Sequence, residues 1–393
     1  MQRETLHRAA PRMFGERLMV KTPGQGNLCK VFNCEASAPH KDGAILDIER
    51  RDPNVLPKID VFREGECNVE ELALQLAREE RSFLLRGPPG TGKSHLLKRV
   101  LKLVNNPVVC ARTHVAASQF EAGITLSRFK HRMQKGYFKG ALCLDEVWMV
   151  ENTLLDVVSK ISLNNHFMIF AGDDAQLPPI KDTHHGQSVP ALWDSDFLKD
   201  LAPICLELTV CKRSDARLHN FGLLCREGQL TDCLEQARAL FHAEGEPEVS
   251  LTVTNARRQQ INEEVNRRLA PEESRLLESE DGPILLYEGA PLIGVKTQSG
   301  VTNAIWYTVA ETSEQLHLIS ERKEEVVLSY EQAAKVLALR HAMTIHKSQS
   351  RTLEGRVHIC PGSEPGAVSP YLTLQHLLVA ASRATSIENL SIE

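Results

Sequence analysis

The chain has 393 residues, 42% of them hydrophobic and 25% charged, which suits a globular protein of two or three domains. No run of 18 apolar residues occurs and the charged start, Met1 to Lys21, has no apolar centre, so neither a membrane-spanning helix nor a secretory leader is expected. The formal net charge of −5 excludes a uniformly basic nucleic-acid binder, and the ten cysteines, three of them (Cys110, Cys143, Cys205) in apolar runs, are expected to be reduced thiols.

In chain order, the first 65 residues are rich in Pro, Gly and charge, and they carry little periodicity. Cys29, Cys34 and His40 lack a fourth ligand and the tight spacing of a zinc site, so they are set down to coincidence. A helical pattern over Asn68–Glu80 is followed by a short strand, Ser82–Arg86, a Gly-Pro-Pro-Gly turn and a helix over Lys93–Leu103. Three apolar strands come next: "PVVCA", "ALCLDE" (Ala141–Glu146) and "HFMIFAGDD" (His166–Asp174). Between Lys98 and Lys139 there are nine Lys or Arg residues and one acid, Glu121, a local basic stretch despite the negative total. Strands alternating with helices predict an α/β fold with a parallel sheet, as a mononucleotide-binding domain reaching about Pro203. A further strand (Ile204–Thr209), two helices, the strand "SLTVTN" and the helix "ARRQQINEEVNRRL" open a second α/β domain. Short strands from Pro283 to Leu328 predict a small β-rich insert within it. The expected division is an unassigned segment 1–65, a first domain 66–203 and a second domain 204–393.

Three strands end in chemistry. "GPPGTGKS" spans Gly87, Pro88, Pro89, Gly90, Thr91, Gly92, Lys93 and Ser94 and fits the phosphate-binding loop pattern. The glycines let backbone N–H groups turn toward phosphate, Lys93 reaches the β- and γ-phosphates of ATP, and the Ser94 hydroxyl suits Mg²⁺. In "CLDEV", Asp145 suits the same Mg²⁺ through water, and Glu146 suits a general base for the attacking water. In "GDDAQLPP", Gln176 can bond both a phosphate and a water.

These three motifs together resemble superfamily 1 helicases, more narrowly the Pif and RecD-like branch that includes the Dda-type enzymes. Later motifs extend the resemblance: "CKRSDARLHNFGLLCREG", "TVTNARRQQIN", "TIHKSQSRTLEG" and "LLVAASRA". It covers about Ser82 to Glu393. The resemblance implies two RecA-like P-loop NTPase domains with ATP between them, Arg213 and Arg383 as arginine fingers, and 5′-to-3′ translocation with duplex unwinding. On a helical wheel, "LQHLLVAASRA" puts Arg383 opposite an apolar stripe, pointing away from the core. The resemblance also gives the row His346, Lys347, Ser348, Gln349 a role. The first three carry donors for a nucleic-acid backbone, and Gln349 can bridge toward nucleotide. The structural alternative for His346 is a core histidine. Thr113, His114, Thr125, Thr254 and Asn255 are the other expected strand contacts.

The sequence also departs from the family pattern. Ser350 replaces the usual Gly after His-Lys-Ser-Gln, Ser127 replaces a His, and Trp148 follows Asp-Glu-Val where the family has Ser. Eleven residues separate Phe129 from Ala141, short for a strand-splitting wedge, and Gln75 sits too close to the phosphate loop for an adenine-reading glutamine. The expectation is an intracellular ATP- and Mg²⁺-dependent DNA helicase that acts on single-stranded and tailed duplex DNA in repair or recombination. The alternatives are an RNA helicase or non-unwinding translocase, and a non-hydrolysing nucleic-acid-binding scaffold.

Overall fold

The structure is a computed structural model that describes residues 59–133, 140–150, 158, 167–179, 183–184, 187–188 and 196–393. Cys29, Cys34, His40 and residues 134–139 of the expected wedge position lie outside the described residues. Among the described residues no helix is long and apolar enough to cross a membrane.

The chain divides into two compact units. The first is built on seven strands: β1 (Asp60–Arg63), β2 (Phe83–Arg86), β3 (Val108–Ala111), β4 (Ile124–Thr125), β5 (Leu142–Asp145), β6 (Met168–Gly172) and, after a two-residue hairpin of β7 (Thr183–His184) and β8 (Gln187–Ser188), β9 (Ile204–Glu207). Their order is β1-β9-β2-β6-β5-β3-β4, and every pairing is parallel. A parallel sheet is covered on both faces, so its central strands are continuous apolar runs. Successive residues then serve opposite faces. Leu84, Cys110, Leu142, Leu144 and Phe170 enter one core. Phe83, Leu85, Val109, Cys143, Ile169 and Ala171 enter the other, packed with helices α1 (Val69–Arg78) and α2 (Lys93–Leu101). Asn68 ends the chain's approach to α1 by accepting the Glu71 N–H on its side chain, which is the reason the helix starts one residue later than its periodicity suggests.

The second unit holds a four-stranded parallel sheet ordered β18 (Ala342–Thr344), β10 (Val249–Thr252), β19 (Val357–Cys360), β20 (Leu390–Ile392). Around it lie α6 (Ala216–Glu227), α7 (Leu230–Leu240), α8 (Asn255–Leu269), the single turn α10 (Ile345–Ser348) and α11 (Leu374–Ala381). The short helices α3 (His114–Ala117), α4 (Leu126–Met133) and α5 (Asp196–Leu201) precede these, and α9 (Tyr330–Val336) sits in the insert. The insert is antiparallel: a hairpin of β11 (Arg275–Ser279) and β12 (Gly282–Leu286), then a five-stranded sheet ordered β16-β15-β14-β13-β17. These five are β13 (Pro291–Gly294), β14 (Trp306–Thr312), β15 (Leu316–Ser320), β16 (Glu325–Leu328) and β17 (Leu337–Leu339). It has its own core, with Leu292, Tyr307, Leu316 and Leu337 inside.

The expected α/β class with a β insert is therefore present, but the boundaries move. The strand at Ile204 was expected to open the second domain. Instead it pairs with β1 and β2 in the first sheet, and the second unit starts at Arg213, taking in Thr113–Val115 and Ala175–Leu177 as well. Asp60–Arg63, expected in the unassigned segment, supplies the edge strand β1. The insert runs from Arg275 to Leu339 rather than from 283 to 330, since β17 closes its sheet against β13.

Candidate nucleotide site and nucleic-acid interface

In the first unit, β2 delivers the chain into the phosphate loop and α2 leaves it. Gly90 (φ +81°) and Gly92 (φ +96°) take left-handed conformations that L side chains rarely adopt. At Gly87 a Cβ would lie 2.4 Å from the Leu208 carbonyl oxygen, so the loop passes too close to the backbone after β9 for any side chain. The Lys212 N–H donates to the Gly90 oxygen at 2.8 Å and closes the loop from that side. Thr91 is fully buried and its hydroxyl donates to the Pro88 oxygen at 2.9 Å. Lys93 is buried, with Nζ donating to the carbonyls of Gly87 at 2.7 Å and Pro88 at 3.0 Å. The ammonium is thus folded over the loop, at the N-terminus of α2, where helix N–H groups favour an anion. Ser94 follows in the first turn, half-buried.

Asp145 ends β5, buried, and accepts the Glu146 N–H at 3.1 Å. Burial and the adjacent Glu146 carboxylate raise its pKa to about 7, against the pull of Lys93 and that N–H. Glu146 is half-buried at φ +53°, a left-handed turn that sets it at the sheet's carboxyl edge. A buried carboxylate held near neutrality, with an ammonium as its attractive neighbour, suits a divalent cation, which would favour its ionised form. The Trp148 ring packs across the next strand end, so that a Cβ on Gly172 would come within 2.5 Å of it. Trp148 is a buried packing aromatic, as expected. Beside the loop, Arg86 bridges Asp174 (3.2 Å) and Glu207 (2.9 Å), and Glu207 also binds Arg63 (2.8 Å). This brace was not foreseen, because its members are local neighbours only after the parallel strands align.

In the second unit, Thr344 accepts the Lys347 N–H at 3.4 Å and starts the single turn α10, which carries the His-Lys-Ser-Gln row. Lys347 is exposed and His346 half-buried. Ser348 is fully buried, and its hydroxyl donates to the Ile345 oxygen at 2.7 Å. Gln349 is buried, and its Nε2 donates to the Leu177 oxygen at 3.4 Å, which ties the row to the segment of Gln176. Of the row, then, Lys347 is exposed, His346 packs its ring edge-on against the buried His376 at a centroid distance of 5.0 Å, and Ser348 and Gln349 brace the turn. Burial lowers the pKa of His346; Lys347 keeps surface in solvent, yet the protein packed around it also desolvates its ammonium and, with Arg258, lowers its pKa against the pull of Asp281. Ser350, the departure from the family glycine, sits at φ +66°, the conformation that glycine would supply at no cost.

Thr254 caps α8 by accepting the Arg257 N–H at 3.3 Å, and Asn255 is exposed at the first helical position. Thr113 and His114 are half-buried. Thr125 is buried, and its hydroxyl accepts the Arg128 N–H at 3.3 Å at the start of α4. Gln75, already set aside, donates to Glu79 at the C-terminal cap of α1 at 2.8 Å.

Both arginines carried over from the resemblance are engaged. Arg213 donates to Thr352 Oγ1 at 3.0 Å and the Ser382 oxygen at 2.8 Å. Arg383 was expected on an outward helix face. Helix α11 instead ends at Ala381, and Arg383 folds back, buried. Its guanidinium donates to the carbonyls of Val379 (2.9 Å), Arg351 (3.0 Å) and Ser348 (3.4 Å) and to the Ser382 hydroxyl (2.6 Å). A cation that collects carbonyls at a helix C-terminus answers groups the helix cannot pair.

Arg351 was missed by sequence reasoning. Its guanidinium forks onto Glu321 (2.8 and 3.2 Å), donates to the Ala304 oxygen and lies 4.4 Å from the Trp306 ring centroid, with Arg340 4.1 Å from the same ring. The loop bearing the row is thereby fastened to the β insert.

Residues 83–264 match the viral superfamily 1 RNA helicase core domain. No curated protein matches the chain. Among solved structures, it is similar to a Pif1 helicase from a study of forked duplex unwinding by two coordinating Pif1 helicases, at 19% identity and a TM-score of 0.64 over 83% of this chain and 91% of that one. Bacteroides Pif1 bound to single-stranded DNA follows at 18% and 0.63, over 83% and 91%. Pif1 from Candida albicans gives 18% and 0.63, over 83% and 93%. At such low identity these likenesses speak for the fold. The chain therefore has the fold of the Pif1 helicases, and its residues 83–264 are similar to a superfamily 1 helicase core.

Proposed function

We propose that the protein is an ATP-dependent DNA helicase that couples hydrolysis to movement along single-stranded DNA, 5′ to 3′, and to unwinding of tailed duplexes. The observation that carries this reading is the phosphate loop, with Lys93 folded over it, near a buried Asp145 and an adjacent Glu146. Lys93 exchanges its two carbonyl partners for the β- and γ-phosphates. Ser94 and Asp145 would hold Mg²⁺, which supplies charge neutralisation on the phosphates. Glu146 orients and deprotonates the attacking water, and Gln176 bonds the γ-phosphate side. Following the family resemblance, Arg213 and Arg383 would serve as fingers by giving up their present hydroxyl and carbonyl partners for the transferring phosphoryl group. His346, Lys347, Asn255, Thr254, Thr113 and His114 contact the strand through its backbone, which suits a motor indifferent to sequence. Intracellular work in DNA repair or recombination follows from a strand-separating activity.

The core-domain match favours a second reading, because that family is described as RNA helicases. One experiment separates the two: steady-state ATPase activity with no nucleic acid, with single-stranded DNA and with single-stranded RNA, beside Glu146→Gln. DNA stimulation that the variant loses by about 100-fold or more supports the DNA motor. Stimulation by RNA alone supports the second reading. A chain that hydrolyses nothing under any condition is no motor. Duplexes with a 5′ or a 3′ tail then test the direction.

A further inference from the structure

The loop of residues 361–373, between β19 and α11, has no part in the reading above. It presents Tyr371, the most exposed large apolar side chain among the described residues, at 72% against 55% for Leu276, the next. An exposed apolar residue is ordinary in itself. The anchoring here is not. Ser369 is buried and its N–H donates to the Pro361 oxygen at 2.9 Å. The Tyr371 N–H donates to Ser369 Oγ at 3.2 Å, and the Leu372 N–H to the Ser369 oxygen at 3.0 Å. Leu372 is buried in the core of the second unit. The backbone is therefore pinned on both sides of a ring that itself makes almost no contact.

Position gives the ring a use. In a parallel sheet the loops after β18, β10 and β19 all leave from the carboxyl edge. Those loops carry His346 and Lys347, Thr254 and Asn255, and Tyr371 in turn. The link is also direct: Thr373 caps α11 with His376 in a reciprocal pair, and the His376 ring meets that of His346 at a centroid distance of 5.0 Å. Exposed donors for phosphate, Lys347 and Asn255, and an exposed aromatic on pinned backbone share one edge. Single-strand binders combine these two elements, because every base has a π-face and stacking tolerates any sequence.

We propose that Tyr371 is a stacking platform for a base of the bound single strand. The proposal rests on the reading of the protein as a single-strand motor. The test is the affinity of the full chain for a fluorescent oligo(dT) and an oligo(U), measured by anisotropy over a salt series, for the wild type, Tyr371→Ala, Tyr371→Phe, Tyr371→Trp and Lys347→Ala. Because the side chain is exposed, all Tyr371 variants should melt with the wild type. Tyr371→Ala is expected to bind roughly 5- to 100-fold more weakly with an unchanged salt slope, while Phe and Trp stay within about twofold of the wild type. Lys347→Ala is expected to flatten the salt slope instead. The indole emission added by Tyr371→Trp should be quenched on binding. Wild-type binding with no loss in Tyr371→Ala, or no quenching in Tyr371→Trp, overturns the stacking role and leaves the motor reading intact; a tyrosine that matters only to a protein partner would give that result. Absence of binding by the wild type overturns both.

Discussion

Ser350 gives the sharpest physical test of the nucleic-acid row. It holds φ +66° where the family pattern has glycine. A left-handed conformation costs an L-residue roughly 1–2 kcal/mol. Replacement by glycine removes that strain but loosens the unfolded chain by about 0.4–1 kcal/mol. The balance predicts that Ser350→Gly stabilises the second unit by about 0.5–1 kcal/mol. Ser350→Ala is the necessary companion: it drops the hydroxyl and keeps the strain. Glycine should exceed alanine by about 1 kcal/mol, and Ser350→Val, β-branched at positive φ, should fall below both. The assay is urea unfolding, read by hydrogen exchange in peptides covering residues 337–360. A rise of about 1–4 °C in the melting temperature of Ser350→Gly is the thermal counterpart for a unit of this size. If Gly, Ala and Val unfold at the same urea concentration, the torsion stores no strain, and the argument from backbone geometry fails.

Arg351 and Glu321 should be energetically coupled: each single alanine variant is expected to lose about 2 kcal/mol, less than for a fully buried pair because Glu321 keeps 30% of its side chain in solvent, and the double-mutant cycle to show about 1 kcal/mol of interaction. Arg351→Lys should recover less than half, since an ammonium can neither fork onto a carboxylate nor stack on Trp306 as a plane; a cycle that closes to zero refutes the clasp. His376 predicts a pH effect. Burial, with a smaller push from His346, lowers its pKa to about 4, so below the ordinary value of 6.5 the unfolded chain binds the proton that the folded chain refuses. Stability is full above that value and drains as pH falls toward 4, by about 1–2 kcal/mol between pH 7 and pH 5. Urea melts of the wild type and His376→Asn at the two pH values check it: the variant should lose less stability on acidification, and equal losses place the titration elsewhere.

What could be read from the sequence followed from where each signal lies. Strands β2, β5 and β6 are buried on both faces, so they stand out as apolar runs, and their chemistry sits at the strand ends, adjacent in sequence. The same locality made Ser350 legible: one torsion, one residue type. Strand β9 was placed in the wrong domain because an apolar run does not name its partner, and its pairing with β1 and β2 spans well over a hundred residues. Arg383 was misread for a different reason. The periodicity of "LQHLLVAASRA" continues past the point where the hydrogen-bond ladder stops. Its end is set by Ser382, whose hydroxyl donates to the Val379 oxygen, and by the guanidinium itself, which donates to the same oxygen. A helical wheel assumes the helix; here the arginine helps to end it. Arg351 had no local signal, since Ala304, Trp306 and Glu321 all lie in the insert. Yet Arg383 donates to the carbonyls of Ser348 and Arg351, so the finger candidate, the strand row and the insert meet on one stretch of backbone. That convergence is long-range in sequence, and "SQSR" gives no sign of it.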